Sequence, residues 1–186
     1  MKSKYFIFVI SGPSGSGKTT LIKRLFRFKK IKENLTKITT YTTRRPRKKE
    51  SSDYTFVDIS EFKRLKRRGF FIESQKIYKD YYGTPKKELL KAIKKSHVLL
   101  CIDYKGAKII KKIFKDKAVL IFILPPNLKE LEKRIRKRGE KEISLRLKRA
   151  KEEILNSKFY DFKIINKNLN VALKELKDII LRKIES

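Results

Sequence analysis

Cysteine occurs once in this chain and histidine once, so neither an internal disulfide nor a cysteine–histidine metal cage can form. The single Cys101 fits a reducing compartment and reads as a small buried apolar residue. His97, which leads into an apolar run, reads as structural. No apolar run approaches the roughly eighteen residues of a membrane span. The first residues pass into strand-like sequence too early for a signal peptide, so a cytoplasmic protein is expected, with no membrane partner. There is no internal repeat, no low-complexity linker and no Pro/Gly-rich boundary. The 186 residues therefore suit one domain, 1–186.

Acidic residues are scarce as well: 20 against 51 Lys and Arg, a formal net charge of +31. Such a charge attracts polyanions, and non-specific binding to them is expected at low salt. The basic residues are spread along the whole chain, and no aromatic-basic RNA motif accompanies them, so no specific nucleic-acid partner is expected. Hydrophobic residues make up 40% and aromatics 11%, enough for a packed core.

Into this background is set Gly12-Pro13-Ser14-Gly15-Ser16-Gly17-Lys18-Thr19, followed by Thr20. It satisfies the phosphate-loop spacing G-x-x-x-x-G-K-[ST]. An apolar strand, 5–10, precedes it, and helical periodicity from about 18 to 29 follows it. Glycines let successive backbone N–H groups turn inward to a phosphate, and the helix N-terminus adds partial positive charge. In this motif Lys18 reaches the β- and γ-phosphates, and the Thr19 hydroxyl is a Mg²⁺ ligand.

Strand and helix patterns then alternate, which predicts an α/β fold with a mainly parallel sheet. Five strands fit its core: 5–10, about 37–41, 98–102, 118–124 and 162–165. Helices are expected at 86–95, 106–114, 128–137, 143–155 and 169–184, with a short one at 61–68 capped by Ser60. Residues 54–57, 70–73 and 76–78 read as short strands, and 80–84 as a loop. The stretch 42–90 then forms a small mixed insert suited to a second ligand.

Six stretches in this order resemble guanylate kinase. They are Ser11 to Thr19, Thr42-Thr43-Arg44-Arg45-Pro46-Arg47, Phe71-Ile72-Glu73, Tyr81-Tyr82-Gly83-Thr84, Ile121 to Pro126, and Tyr160-Asp161-Phe162. Taken singly, the arginine run could be a solvated loop and the tyrosines ordinary half-buried aromatics. Their joint order makes the resemblance specific, and it covers nearly the whole chain.

The resemblance implies a P-loop NTPase-type sheet of five parallel strands flanked by helices. The core would be 1–41, 91–137 and 147–186, the GMP-binding insert 42–90, and a short helical lid about 138–146. It implies transfer of the γ-phosphate of ATP to GMP, or dGMP, with Mg²⁺. Residues 12–20 would hold the ATP phosphates. Arg44 and Arg47 would clamp the GMP phosphate as guanidinium forks, helped by the hydroxyls of Tyr54 and Tyr82. Glu73 would accept from guanine N1–H and its N2 amino group, a donor pair that adenine lacks. Thr40, Thr84 and Asp103 would complete that pocket. Lys18, Arg44, Arg138 and Arg146 would stabilise the transferring phosphoryl group.

Arg134 reads equally as a lid cation or a plain basic face, and Asn166 as a contact to adenine. The family usually carries an aspartate where Cys101 stands and a glutamine where Lys105 stands. The alternatives are a kinase for another nucleoside monophosphate or a phosphorylated sugar, or a non-catalytic binding module. A monomer or homodimer is expected.

Overall fold

The computed structural model describes residues 4–46, 54–139 and 142–186. Its centre is strand β1, Ile7–Ser11, every residue of which is buried. It pairs in parallel with β7, His97–Cys101, on one side and β8, Ala118–Leu124, on the other. Strands β2, Leu35–Lys37, and β9, Phe162–Ile165, complete the five-stranded order β2-β7-β1-β8-β9. All its pairings are parallel.

Strands this apolar need cover on both faces. Helices α1, Lys18–Leu25, and α8, Leu169–Ile184, cover one face and bury Leu21, Leu25, Leu176 and Ile180 against Phe8 and Ile121. Helix α5, Tyr104–Phe114, covers the other through Ala107 and Ile110, packed with Val9, Leu100 and Phe122. Each fully buried Leu or Ile contributes about 1.5–3 kcal/mol.

Two of the conspicuous residues support this sheet. His97 accepts from the Phe6 N–H at 3.1 Å among the rings of Tyr5, Phe6 and Phe8, and burial lowers its pKa. Asp161 accepts from the Leu120 N–H at 2.7 Å and pairs with Lys111, which anchors the start of β8.

The second sheet has the order β4-β3-β6-β5. Its strands are β3, Thr40–Thr42, β4, Tyr54–Phe56, β5, Phe71–Ile77, and β6, Asp80–Pro85. Helix α3, Ile59–Arg67, packs Phe62 against Phe71 and Tyr81. Helix α4, Lys86–Ala92, leads back to β7.

Several expectations are corrected here. The β-prone run 37–41 is not one strand: its start closes the edge of the parallel sheet, and Thr40–Thr42 joins the second sheet. The boundary of the insert therefore falls before Thr40 rather than after Tyr41. The stretch 80–84 is strand, not loop, because Tyr81 and Tyr82 alternate between the α3 side and the cavity. The two short strands at 70–73 and 76–78 are one continuous strand, β5. Helix α3 is capped by Asp58, which accepts from the Glu61 N–H at 2.7 Å, and not by Ser60. The helix expected over 18–29 stops at Leu25, and a separate helix α2 spans Lys29–Asn34.

Past β8, helices α6, Leu128–Lys137, and α7, Ile143–Leu155, stand over the C-terminal ends of the strands. Among the described residues, no helix is long and apolar enough to cross a membrane.

Candidate active site

A cavity of about 760 Å³ opens outside the carboxyl ends of β1 and β7, at the point where the strand order diverges. That is the upper range for a small-molecule site. Its walls come from the phosphate loop, the second sheet and α7.

The loop wall follows from β1. After Ser11 the chain bends through Gly12 and turns into α1 at Gly17, whose φ is +97°. A Cβ at Gly17 would sit 2.2 Å from Asn166 Nδ2, which donates to the Ser16 carbonyl at 2.8 Å. Asn166 therefore braces the loop from β9 rather than lining the cavity. Gly12, Ser14, Gly15, Gly17, Lys18, Thr19 and Thr20 line it. Pro13 and Ser16 are buried behind them. Lys18 Nζ donates to the carbonyls of Gly12 and Pro13, and burial lowers its pKa, with Cys101 and Glu153 opposing. Cys101 packs against the core as expected of a small apolar residue, but it is only half-buried and also lines the cavity.

The second sheet supplies the opposite wall. Glu73 is 5% exposed, and Thr84 Oγ1 donates to its Oε1 at 2.5 Å. The register of β5 shifts between Phe71 and Glu73, the kind of bulge that re-aims a side chain. Burial pushes the pKa of Glu73 up to about 7, and nearby Asp103 adds to the rise. A Cβ at Gly106 would sit 2.7 Å from Glu73 Oε2, so only glycine lets the start of α5 approach that carboxylate.

Arg44, Tyr54 and Tyr82 stand together beside it. The Arg44 guanidinium lies 5.4 Å from the Tyr54 ring centroid, and the two tyrosine rings are 6.1 Å apart. Burial raises the pKa of Tyr82, and Arg44 opposes the rise. Thr40 lines the cavity as well. Thr84 does not: it lies fully buried behind Glu73. Arg47 falls outside the described residues.

The third wall carries Arg138, at the end of α6, and Arg146, on α7. Arg134 is not there. It pairs with Glu130 at 3.0 Å and donates to the Asn166 carbonyl at 3.3 Å. Asp103 caps α5 by accepting from the Gly106 N–H at 2.8 Å. Its other oxygen accepts from Arg149 Nη2 at 3.0 Å.

Sequence reasoning passed over Arg149, Glu153, Tyr78, Gln75 and Asp80, all of which line the cavity. Arg149 lies one helical turn from Arg146 on α7, and that spacing was the available signal. Tyr78 occupies the β5–β6 turn at φ +57°, a conformation that costs a tyrosine about 1–3 kcal/mol. It sits under Arg146 and Arg149, 4.8 and 5.5 Å from its ring centroid.

This arrangement matches known proteins along nearly its full length. The sequence model of the family described as Guanylate kinase covers residues 4–183. A guanylate kinase of Francisella tularensis subsp. holarctica is 40% identical over 178 residues, 92% of this chain and 93% of that protein. One from Rickettsia prowazekii is 40% identical over 186 residues, 97% of this chain and 92% of the other. The crystal structure of guanylate kinase from Anaplasma phagocytophilum superposes with a TM-score of 0.78 at 34% identity, over 98% of this chain and 88% of that one. The chain belongs to the guanylate kinase family.

Proposed function

We propose that this protein is an ATP:GMP phosphotransferase, producing ADP and GDP. The observation that carries this reading is Glu73, a buried carboxylate held by Thr84 in the same cavity as Lys18. An ionised carboxylate there accepts from the two donors on the Watson–Crick edge of guanine. Adenine would leave it buried and unpaired, so AMP is rejected. This also speaks against a sugar phosphate or another nucleoside monophosphate as the acceptor.

The division of labour follows from the walls. The backbone amides of residues 12–20 take the ATP phosphates, with Lys18 swinging from the loop carbonyls to the β- and γ-phosphates. Arg44, Tyr54 and Tyr82 take the GMP phosphate, with Arg47 from the adjoining segment. Thr40 and Asp103 border the base. No general base is needed, because the nucleophile is a phosphate oxygen already ionised near neutral pH. That oxygen bonds to the γ-phosphorus as the bond to the β–γ bridging oxygen breaks, and ADP leaves with the electron pair. Lys18, Arg138 and Arg146 spread the developing negative charge, while the surrounding walls exclude water.

The donor set at the phosphate end suits Mg²⁺, a hard cation that takes oxygen ligands and retains waters and substrate phosphates. Thr19 would hold it through its hydroxyl. When bound, Mg²⁺ neutralises charge on the β- and γ-phosphate oxygens.

The test is ADP release from Mg-ATP with GMP, dGMP, AMP, CMP and UMP as acceptors. Turnover with GMP far above the non-guanine acceptors is expected. No turnover with GMP would overturn the reading.

A further inference from the structure

Arg149 ties α7 to the start of α5 and to the tip of the second sheet. Its Nη2 donates to Asp103 Oδ2 at 3.0 Å, and its Nε donates to Glu153 Oε1 at 2.9 Å. The two carboxylate side chains are only 7% and 9% exposed, and the Arg149 side chain 17%. One guanidinium therefore neutralises two buried anions beside a space that must receive phosphates. Its face also lies 5.5 Å from the Tyr78 ring centroid at the tip of the β5–β6 hairpin.

The contacts continue past Asp103. Asp103 Oδ1 caps α5 through the Gly106 N–H, and Gly106 is the surface on which Glu73 rests. A second link, from the Tyr104 hydroxyl to Glu152, ties the same turn of α5 to α7. A line of contacts thus runs from α7 through Arg149, Asp103 and Gly106 to the carboxylate assigned to guanine.

We propose that Arg149 is a positioning residue of the acceptor site, holding Asp103 and the first turn of α5 where Gly106 supports Glu73 for guanine. This rests on the GMP-kinase reading above. Arg149 reaches the acceptor side directly through Asp103, and the ATP wall only at one remove, through Glu153, whose charge also acts on Lys18. A lysine cannot replace it fully, since an ammonium is a point charge and the fork spans two carboxylates.

The test is steady-state kinetics on the whole protein for wild type, Arg149→Met, Arg149→Lys, Asp103→Asn and the double variant Arg149→Met/Asp103→Asn. GMP binding by calorimetry and thermal unfolding are measured alongside. Arg149→Met is expected to raise KM for GMP about tenfold and to leave KM for ATP within about twofold. Arg149→Lys recovers part of that loss. The double variant is no worse than the poorer single one, because both changes break the same line of contacts. If Arg149→Met fails to fold, the KM split is read from Arg149→Lys.

Equal changes in both KM values, or effects that multiply in the double variant, would overturn the proposal. So would a wild-type KM for GMP in Arg149→Met. A wild-type protein that never phosphorylates GMP removes instead the reading on which this one rests.

Discussion

The two nucleotide-facing walls of the cavity are built in opposite ways. The phosphate loop is continuous in sequence, bonds through its backbone, and grows from the most deeply buried strand of the molecule. The acceptor wall is assembled from side chains scattered between Thr40 and Asp103, on strands of intermediate burial. The first needs glycines and one lysine. The second needs a carboxylate kept in a place that resists its charge. Binding any nucleoside triphosphate takes only the first kind of wall, whereas choosing a base takes the second.

Breaking each wall in turn should expose this difference. Replacing Lys18 by Met should lower kcat by about a thousandfold or more, with far less change in KM for either nucleotide, because its charge acts mainly on the transferring group. Single-turnover kinetics separates the two.

Glu73→Gln should lower kcat/KM for GMP about a hundredfold and flatten the preference over AMP, with ATP affinity retained. The same change should stabilise the fold. With its pKa raised to about 7, Glu73 costs stability as pH rises from about 4.5 through 7 and the buried group becomes charged. At pH 8 the Gln variant should therefore be more stable by up to about 3 kcal/mol, and near pH 4 no different. Urea unfolding at the two pH values reads this. A variant less stable at pH 8 would contradict the burial argument.

A milder probe of the acceptor wall is pH itself. If guanine takes the ionised form of Glu73, as proposed, KM for GMP should rise as pH falls below about 7, approaching tenfold per pH unit, and level off above it. In Glu73→Gln only the slope from the GMP phosphate should remain. The smallest effect belongs to the loop wall. Asn166→Ala removes the brace on the Ser16 carbonyl and should raise KM for ATP severalfold, about 1 kcal/mol, without touching KM for GMP.

The same contrast explains what the sequence revealed. The loop wall was readable directly, since a contiguous motif between a strand and a helix carries its own context. Helices α6, α7 and α8 and strands β8 and β9 were legible to the residue, because their periodic runs are marked off by breakers such as Pro125, Pro126 and Gly139. The acceptor wall was legible only as an order of motifs.

What stayed hidden was tertiary. The bulge that aims Glu73 and the approach of Gly106 leave no local pattern. Strand β6 was obscured because Asp80 and Gly83 imitate a turn. Arg149 was lost among many lysines and arginines, and its partner Asp103 lies 46 residues away in sequence.

The central claim is that the two walls face one shared space, with phosphates meeting end to end beside Lys18. A compound that joins adenosine and guanosine through five phosphates tests this most directly by calorimetry. The account predicts binding at least about a hundredfold tighter than ATP or GMP alone, because the second nucleotide is delivered at high effective concentration. Affinity no greater than that of ATP itself would contradict it.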